Sequence, residues 1–151
     1  RNIETPTLLR MAEHERIVAV KEASGDMAQV MSVVEGRPAG FRVLSGDDNL
    51  TLPILSLGGE GVVSVAGNIA PRRMVALVNA ALSGDFAEAR RMHYELLPLF
   101  RGVFLQTNPI PIKYALAHQG VITEAYRLPL TPLSDEDKRQ MERVLDQVKP
   151  E

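Results

Sequence analysis

Residues 16–36 read RIVAVKEASGDMAQVMSVVEG and hold one complete strand–turn–helix unit. The segment RIVAVKEA is short and nearly continuously apolar, which is typical of a strand in a sheet that is covered on both faces. The segment GDMAQVMSVVEG has the pattern of a helix, with Asp26 placed to cap its start and Gly36 placed to end it. The stretch therefore predicts a buried parallel strand followed by a helix.

The same unit occurs twice more along the chain. Residues 40–46 (GFRVLSG) and 61–68 (GVVSVAGN) predict two further strands, each followed by a helical pattern. The strand centres, near Val18, Val43 and Val63, recur every 20 to 25 residues. Regular alternation of strands and helices indicates a parallel sheet with right-handed crossovers.

Strand patterns stop after Ser83. Three helices with polar caps are predicted beyond it: residues 85–106 with Asp85, 108–120 with Asn108 and 132–148 with Ser134. The chain is thus predicted to divide into a βα region over residues 1–83 and a C-terminal helical region over residues 84–151. Three apolar parallel strands leave open edges that invite further strands. An α/β fold that is the C-terminal part of a (β/α)8 barrel, with strands 6 to 8, is favoured over a complete doubly wound domain.

The bulk composition narrows the range of functions. A net charge of -2 and a pI near 6.0 give no reason to expect a nucleic acid or an anionic membrane as partner. The chain has no cysteine, which excludes disulfides, thiolate catalysis and cysteine-bound zinc and suits a cytoplasmic protein. No apolar run approaches the roughly 20 residues of a membrane span.

Lys21 ends the first apolar strand, and two interpretations of it are open. A lysine at this place can extend its stem to the surface, or it can be a buried, neutral amine that attacks a carbonyl carbon. In a barrel the carboxyl ends of the strands meet at the catalytic mouth. Lys21 and Glu22 would there meet residues 45–48 and the small residues of 64–68, an arrangement that favours the nucleophile.

Asp47 and Asp48 follow the second strand. They are suited to hold a divalent cation, but a third carboxylate is missing nearby, so capping of the following helix is favoured. The three histidines lie in predicted helices without ligand spacing. No metal site is predicted.

Five motifs together resemble one family. They are IVAVKEASGD (17–26), VLSGDDNLTLPILSLGGEGVVSVAGNIAP (43–71), GDFAEAR (84–90), NPIPIKYAL (108–116) and RLPLTPLS (127–134). In this order and spacing they resemble the dihydrodipicolinate synthase family of pyruvate-dependent class I lyases. The resemblance covers essentially the whole chain and corresponds to the C-terminal half of the family's barrel.

The resemblance implies a function and its residues. Lys21 would form a Schiff base with pyruvate, Gly46 would lie beside the bound pyruvate, and the backbone carbonyl of Val63 would lie near the lysine. The resulting enamine would add to aspartate semialdehyde in lysine and diaminopimelate biosynthesis. No cofactor is implied, and the family resemblance further implies a cytoplasmic homo-oligomer, a tetramer in the full-length family.

The family's proton-relay tyrosine, threonine pair and semialdehyde-binding arginine belong to an N-terminal half that this sequence does not contain, and the chain is expected to be a fragment. Two alternatives therefore stay open. One is another pyruvate aldolase, of the sialate lyase or 2-keto-3-deoxy sugar acid type. The other is a non-catalytic half barrel.

Overall fold

The structure, a computed structural model, describes residues 2–148, so the outer ends of the two predicted regions lie outside it. Ten regular elements follow in chain order: α1 (Thr5–Ala12), β1 (Ala19–Glu22), α2 (Met27–Gly36), β2 (Arg42–Ser45), α3 (Thr51–Ser56), β3 (Gly61–Val62), α4 (Pro71–Leu82), α5 (Phe86–Gly102), α6 (Ile110–His118) and α7 (Asp135–Val148). Two 3-10 turns, Asp48–Leu50 and Ala66–Asn68, follow β2 and β3.

The three strands form one parallel sheet in the order β1-β2-β3. Glu22 pairs with Ser45, and Ser45 pairs with Val62, so all three strands end at the same edge. The loops after the strands therefore leave the sheet side by side, which is how parallel strands gather residues into one site.

The third strand is shorter than predicted. It covers two residues of the predicted 61–68, although the Val63 N–H still donates to the Ser45 carbonyl at 2.8 Å. Beyond Val63 the backbone turns because the Ser64 hydroxyl accepts the Gly67 N–H at 2.7 Å. The N–H groups of Val65, Ala66 and Gly67 are bound by side chains instead of a neighbouring strand, so the strand prediction for 64–68 was wrong.

Helices cover one face of the sheet. Val43 of β2 is fully buried in a cluster with Leu8 of α1 and with Val30 and Val33 of α2, and Val20 packs against that cluster. Side chains alternate between the two faces of a strand, so Lys21 lies on the opposite face from Val20. The side chain of Lys21 is exposed on that second face.

The predicted helical region is confirmed. Within residues 90–145, all of which the structure describes, there are helices and irregular segments but no strand. A larger apolar cluster joins α3 and α4 to this region, and α5 packs against both α4 and α7. This cluster runs across the predicted boundary between residues 83 and 84, and the division into two regions stays a prediction.

Helix caps were predicted well where the partner is close in sequence. Asp26 accepts the Ala28 N–H at 2.8 Å, Asp85 accepts the Glu88 N–H at 3.0 Å, and Ser134 accepts the Asp137 N–H at 3.1 Å. Asn108 was wrong as a cap, because α6 begins two residues later and Pro109 takes the cap position. No helix within residues 2–148 is both long and apolar enough to cross a membrane.

Candidate active site

Lys21 is the third residue of β1, and its neighbour Glu22 fixes the end of that strand. The Glu22 side chain is only 4% exposed. One of its carboxylate oxygens accepts the Ser24 N–H at 2.7 Å, and the other accepts the Gln29 side-chain amide at 3.2 Å. Glu22 thus ties β1 to α2 on the helix-covered face, and because successive side chains alternate, Lys21 is directed to the other face.

A cleft of about 530 Å³ opens beside Lys21. Its lining includes the apolar side chains of Ile3, Leu8 and Val20 and the polar groups of Ser24 and Gln29. The cleft lies along the outer edge of β1, because β2 pairs with the other edge. Lys21 is one of the residues that line this cleft.

Gly46 lies directly against Lys21. Its N–H donates to the Glu22 carbonyl at 2.6 Å, which extends the pairing of the two strands by one residue. A Cβ atom on Gly46 would stand 2.6 Å from the Ala23 Cβ, 3.0 Å from the Glu22 carbonyl oxygen and 3.0 Å from the Lys21 Cε. The Glu22 carbonyl oxygen belongs to the backbone and the Ala23 Cβ is fixed to it, so neither can move aside, and only glycine leaves the Lys21 stem in its present position.

We expect Gly46→Ala to lower the free energy of unfolding by about 1–3 kcal/mol through overpacking. Because the added methyl group also displaces the Lys21 stem, kcat/KM with pyruvate should fall by about 10²-fold in the complete barrel. Gly61→Ala is the matched control: its Cβ would meet only the end of the Leu44 side chain, at 3.2 Å. Denaturant unfolding and steady-state kinetics measure the two effects, and equal losses in both variants would contradict this role of Gly46.

Asp47 does not cap the helix that follows it. It stands at the cap position of the 3-10 turn Asp48–Leu50, but its side chain makes no capping hydrogen bond. Burial raises the pKa of the Asp47 carboxyl above its usual range, and the neighbouring negative charge of Asp48 adds to this, while the positive charge of Lys21 opposes it.

Asp48 has a different role from the predicted one. Its side chain is 1% exposed and reaches across to the segment after β3. One carboxylate oxygen accepts a short hydrogen bond from the Ser64 hydroxyl, and the other accepts the N–H groups of Val65 at 3.1 Å and Ala66 at 2.9 Å. The prediction that Asp47 and Asp48 cap the following helix was wrong, because the Asp47 side chain makes no capping hydrogen bond and the Asp48 carboxylate bonds to the segment after β3.

The structure brings two of the three predicted site residues together. Lys21 and Gly46 are in contact, whereas Val63 lies one strand further on, just beyond β3. The side chain of Val63 is 44% exposed, and its N–H is bound to β2. The predicted roles of Lys21, Gly46 and Val63 toward a substrate stay predictions.

Across residues 2–148 no three histidine or acidic side chains come together as a set that would hold a metal ion. The GGEG turn at residues 58–61 has the composition of a phosphate-binding loop, but it also contains a carboxylate, that of Glu60. Glu60 pairs with Arg37 at 2.8 Å, and the Arg37 guanidinium also donates to the Gly58 carbonyl at 3.1 Å. This turn closes α3, and an anion placed there would meet the Glu60 charge.

Known proteins are similar to this chain in both sequence and fold. A 4-hydroxy-tetrahydrodipicolinate synthase of Koribacter versatilis is 50% identical over 143 residues, which cover 95% of this chain and 48% of the relative. The crystal structure of dihydrodipicolinate synthase from Aquifex aeolicus matches with a TM-score of 0.95 at 43% identity, over 98% of this chain and 51% of the other. The chloride-inhibited dihydrodipicolinate synthase from Acinetobacter baumannii, complexed with pyruvate, matches with a TM-score of 0.94 at 32% identity, over 98% of this chain and 51% of the other.

The chain spans about half the length of these relatives. Its three βα units and C-terminal helices are the C-terminal part of a TIM barrel fold. The model of the dihydrodipicolinate synthetase family matches residues 1–148. The Lys21 strand, the glycine against it and the helices beyond all fall within that match, and the chain belongs to the dihydrodipicolinate synthetase family.

Proposed function

We propose that this chain supplies the Schiff-base lysine of a lyase that condenses pyruvate with L-aspartate-4-semialdehyde to give 4-hydroxy-tetrahydrodipicolinate. The observation that carries the proposal is the placement of Lys21 at the carboxyl end of β1, against a glycine that leaves its stem free. Two relationships support it: relatives about half identical bear the synthase name, and the similar Acinetobacter enzyme is complexed with pyruvate.

The chemistry begins at the Lys21 amine. The neutral Nζ attacks the keto carbon of pyruvate, and loss of water gives an imine. When the imine is protonated, its nitrogen accepts the electron pair that remains as a methyl proton leaves, which forms an enamine. The enamine carbon then bonds to the aldehyde carbon of the semialdehyde, and the amine of that substrate displaces Lys21 as the ring closes.

The residues of this chain supply only some of the groups that this reaction needs. Lys21 is the nucleophile, Gly46 lies beside the pyruvate, and the Val63 carbonyl faces the imine region in this proposal. The proton relay and the group that binds the semialdehyde belong to the N-terminal half of the family's barrel. We further propose a cofactor-free, cytoplasmic homotetramer for the complete protein.

Borohydride trapping tests the proposal. The complete barrel, made of this chain together with an N-terminal half of the family's barrel, is reduced in the presence of pyruvate and mapped by mass spectrometry. We expect one reduced pyruvyl group on the peptide that contains Lys21. An adduct on Lys113 instead, or on no lysine, would refute it.

The aldehyde is tested separately with the same protein. Turnover is compared for aspartate semialdehyde, N-acetylmannosamine and glyceraldehyde, each with pyruvate. Preference for the semialdehyde supports the synthase, and preference for a sugar aldehyde indicates the sialate lyase or sugar acid aldolase alternative. A half barrel without catalysis, favoured only by the exposure of Lys21 in this chain, predicts no adduct and no turnover.

A further inference from the structure

Asp48 is a buried carboxylate to which the proposed reaction gives no role. It is 1% exposed, and its hydrogen-bonding partners are a hydroxyl and two backbone N–H groups, all neutral. Burying a charged group is costly unless hydrogen bonds replace its water. Asp48 is buried at this cost near the carboxyl ends of the strands, which indicates that its hydrogen bonds hold a neighbouring segment in place.

Asp48 holds the segment that follows β3. Ser64, Val65 and Ala66 all donate to the Asp48 carboxylate, and Ser64 in turn accepts the Gly67 N–H at 2.7 Å. These are the first residues after Val63, whose own N–H is bound to the Ser45 carbonyl. The peptide between Val63 and Ser64 is thereby fixed on both sides, by β2 and by Asp48.

The loop that carries Asp48 is itself fixed. The hydroxyl of Ser45, at the end of β2, donates to the Asp47 carbonyl at 2.7 Å, and the hydroxyl of Thr51 donates to the same oxygen at 3.1 Å. Both side chains are fully buried. The loop after β2 therefore holds Asp48 in place, and the hydrogen bonds of Asp48 fix the loop after β3 relative to it.

We infer that Asp48 is a positioning residue of the active site: it holds the Ser64–Ala66 turn so that the backbone carbonyl of Val63 is directed at pyruvate bound to Lys21. This inference rests on the proposed function. It does not place Asp48 in contact with substrate, and it assigns no proton transfer to its carboxylate.

Three variants of the complete barrel test the inference. Asp48→Ala removes every acceptor, so KM for pyruvate should rise by at least about tenfold, and the rate of borohydride-trapped imine formation should fall by a similar factor. Asp48→Asn keeps one oxygen for the Val65 and Ala66 N–H groups and should stay within about threefold of the parent. Asp85→Ala, which removes a carboxylate cap from α5, should destabilise the protein without changing KM.

The measured KM separates positioning from stability, because KM does not depend on how much of the protein is folded. If Asp48→Ala does not fold, Ser64→Ala replaces it and should raise KM for pyruvate in the same direction. Parent-like KM and trapping rate in Asp48→Ala or Ser64→Ala, with the parent forming its adduct on Lys21, would overturn the inference alone. Absence of the adduct in the parent would instead overturn the proposed function.

Discussion

Lys21→Arg should abolish imine formation with pyruvate and lower turnover of the complete barrel by about 10⁴-fold or more, because the nucleophile is lost. A guanidinium stays protonated at all accessible pH values and has no free electron pair with which to attack the keto carbon. Arginine has a similarly extended, unbranched stem, and the Lys21 side chain is exposed in this chain, so the fold should be unaffected. Trapping with borohydride and the rate of pyruvate consumption measure the loss.

Lys113→Arg is the matched control for this substitution. Lys113 lies on α6, and its ammonium stands 5.4 Å from the centre of the Tyr126 ring, an attraction that arginine also makes. We expect parent-like trapping and turnover from this variant. If Lys21→Arg still forms a reducible adduct with pyruvate at the parent rate, Lys21 is not the nucleophile.

The second large effect concerns the 151-residue chain by itself, which should show no measurable synthase activity. General acid–base groups contribute about 10²- to 10⁴-fold to such reactions, and in the proposed function these groups belong to the N-terminal half of the barrel. Water also reaches Lys21, whose side chain is exposed on the open face of the sheet. An imine formed in open water is hydrolysed, which a closed site prevents.

A coupled assay with pyruvate and aspartate semialdehyde measures this difference. It is run on the chain alone, on the N-terminal half alone and on the two together. Activity should appear only in the mixture, and it should disappear again when the chain carries Lys21→Arg. Turnover by the chain alone at the level of the mixture would show that the residues of this half suffice for the chemistry.

The features that sequence predicted correctly depend on contacts between near neighbours in the chain. Asp26 was found as a cap because its partners are two and three residues away. The first strand, predicted with its centre near Val18, and the strand around Val43 were found because their apolar patterns are continuous, although β1 begins one residue beyond Val18. Lys21 was singled out because it is a charged residue at the end of such a pattern, and the structure then placed Gly46 against it.

The features that sequence missed depend on distant partners. Asp48 bonds to residues 16 to 18 positions further along, so its local sequence, an aspartate before a helical pattern, was indistinguishable from a helix cap. The same contacts end β3 early, because they draw the N–H groups of Val65 and Ala66 away from the strand. In the sequence, Ser64 and the small residues after it were the only sign that the loop after β2 contacts the loop after β3.

The hydrogen bonds of Glu22 have a consequence for the order of folding. Its carboxylate joins residues two and seven positions away, all within one strand–loop–helix unit. Contacts between near neighbours close with little loss of chain entropy and form rapidly. The loop beside Lys21 can therefore reach its final conformation as soon as its own strand and helix have formed, whereas the Asp48 contacts must wait until two units have docked.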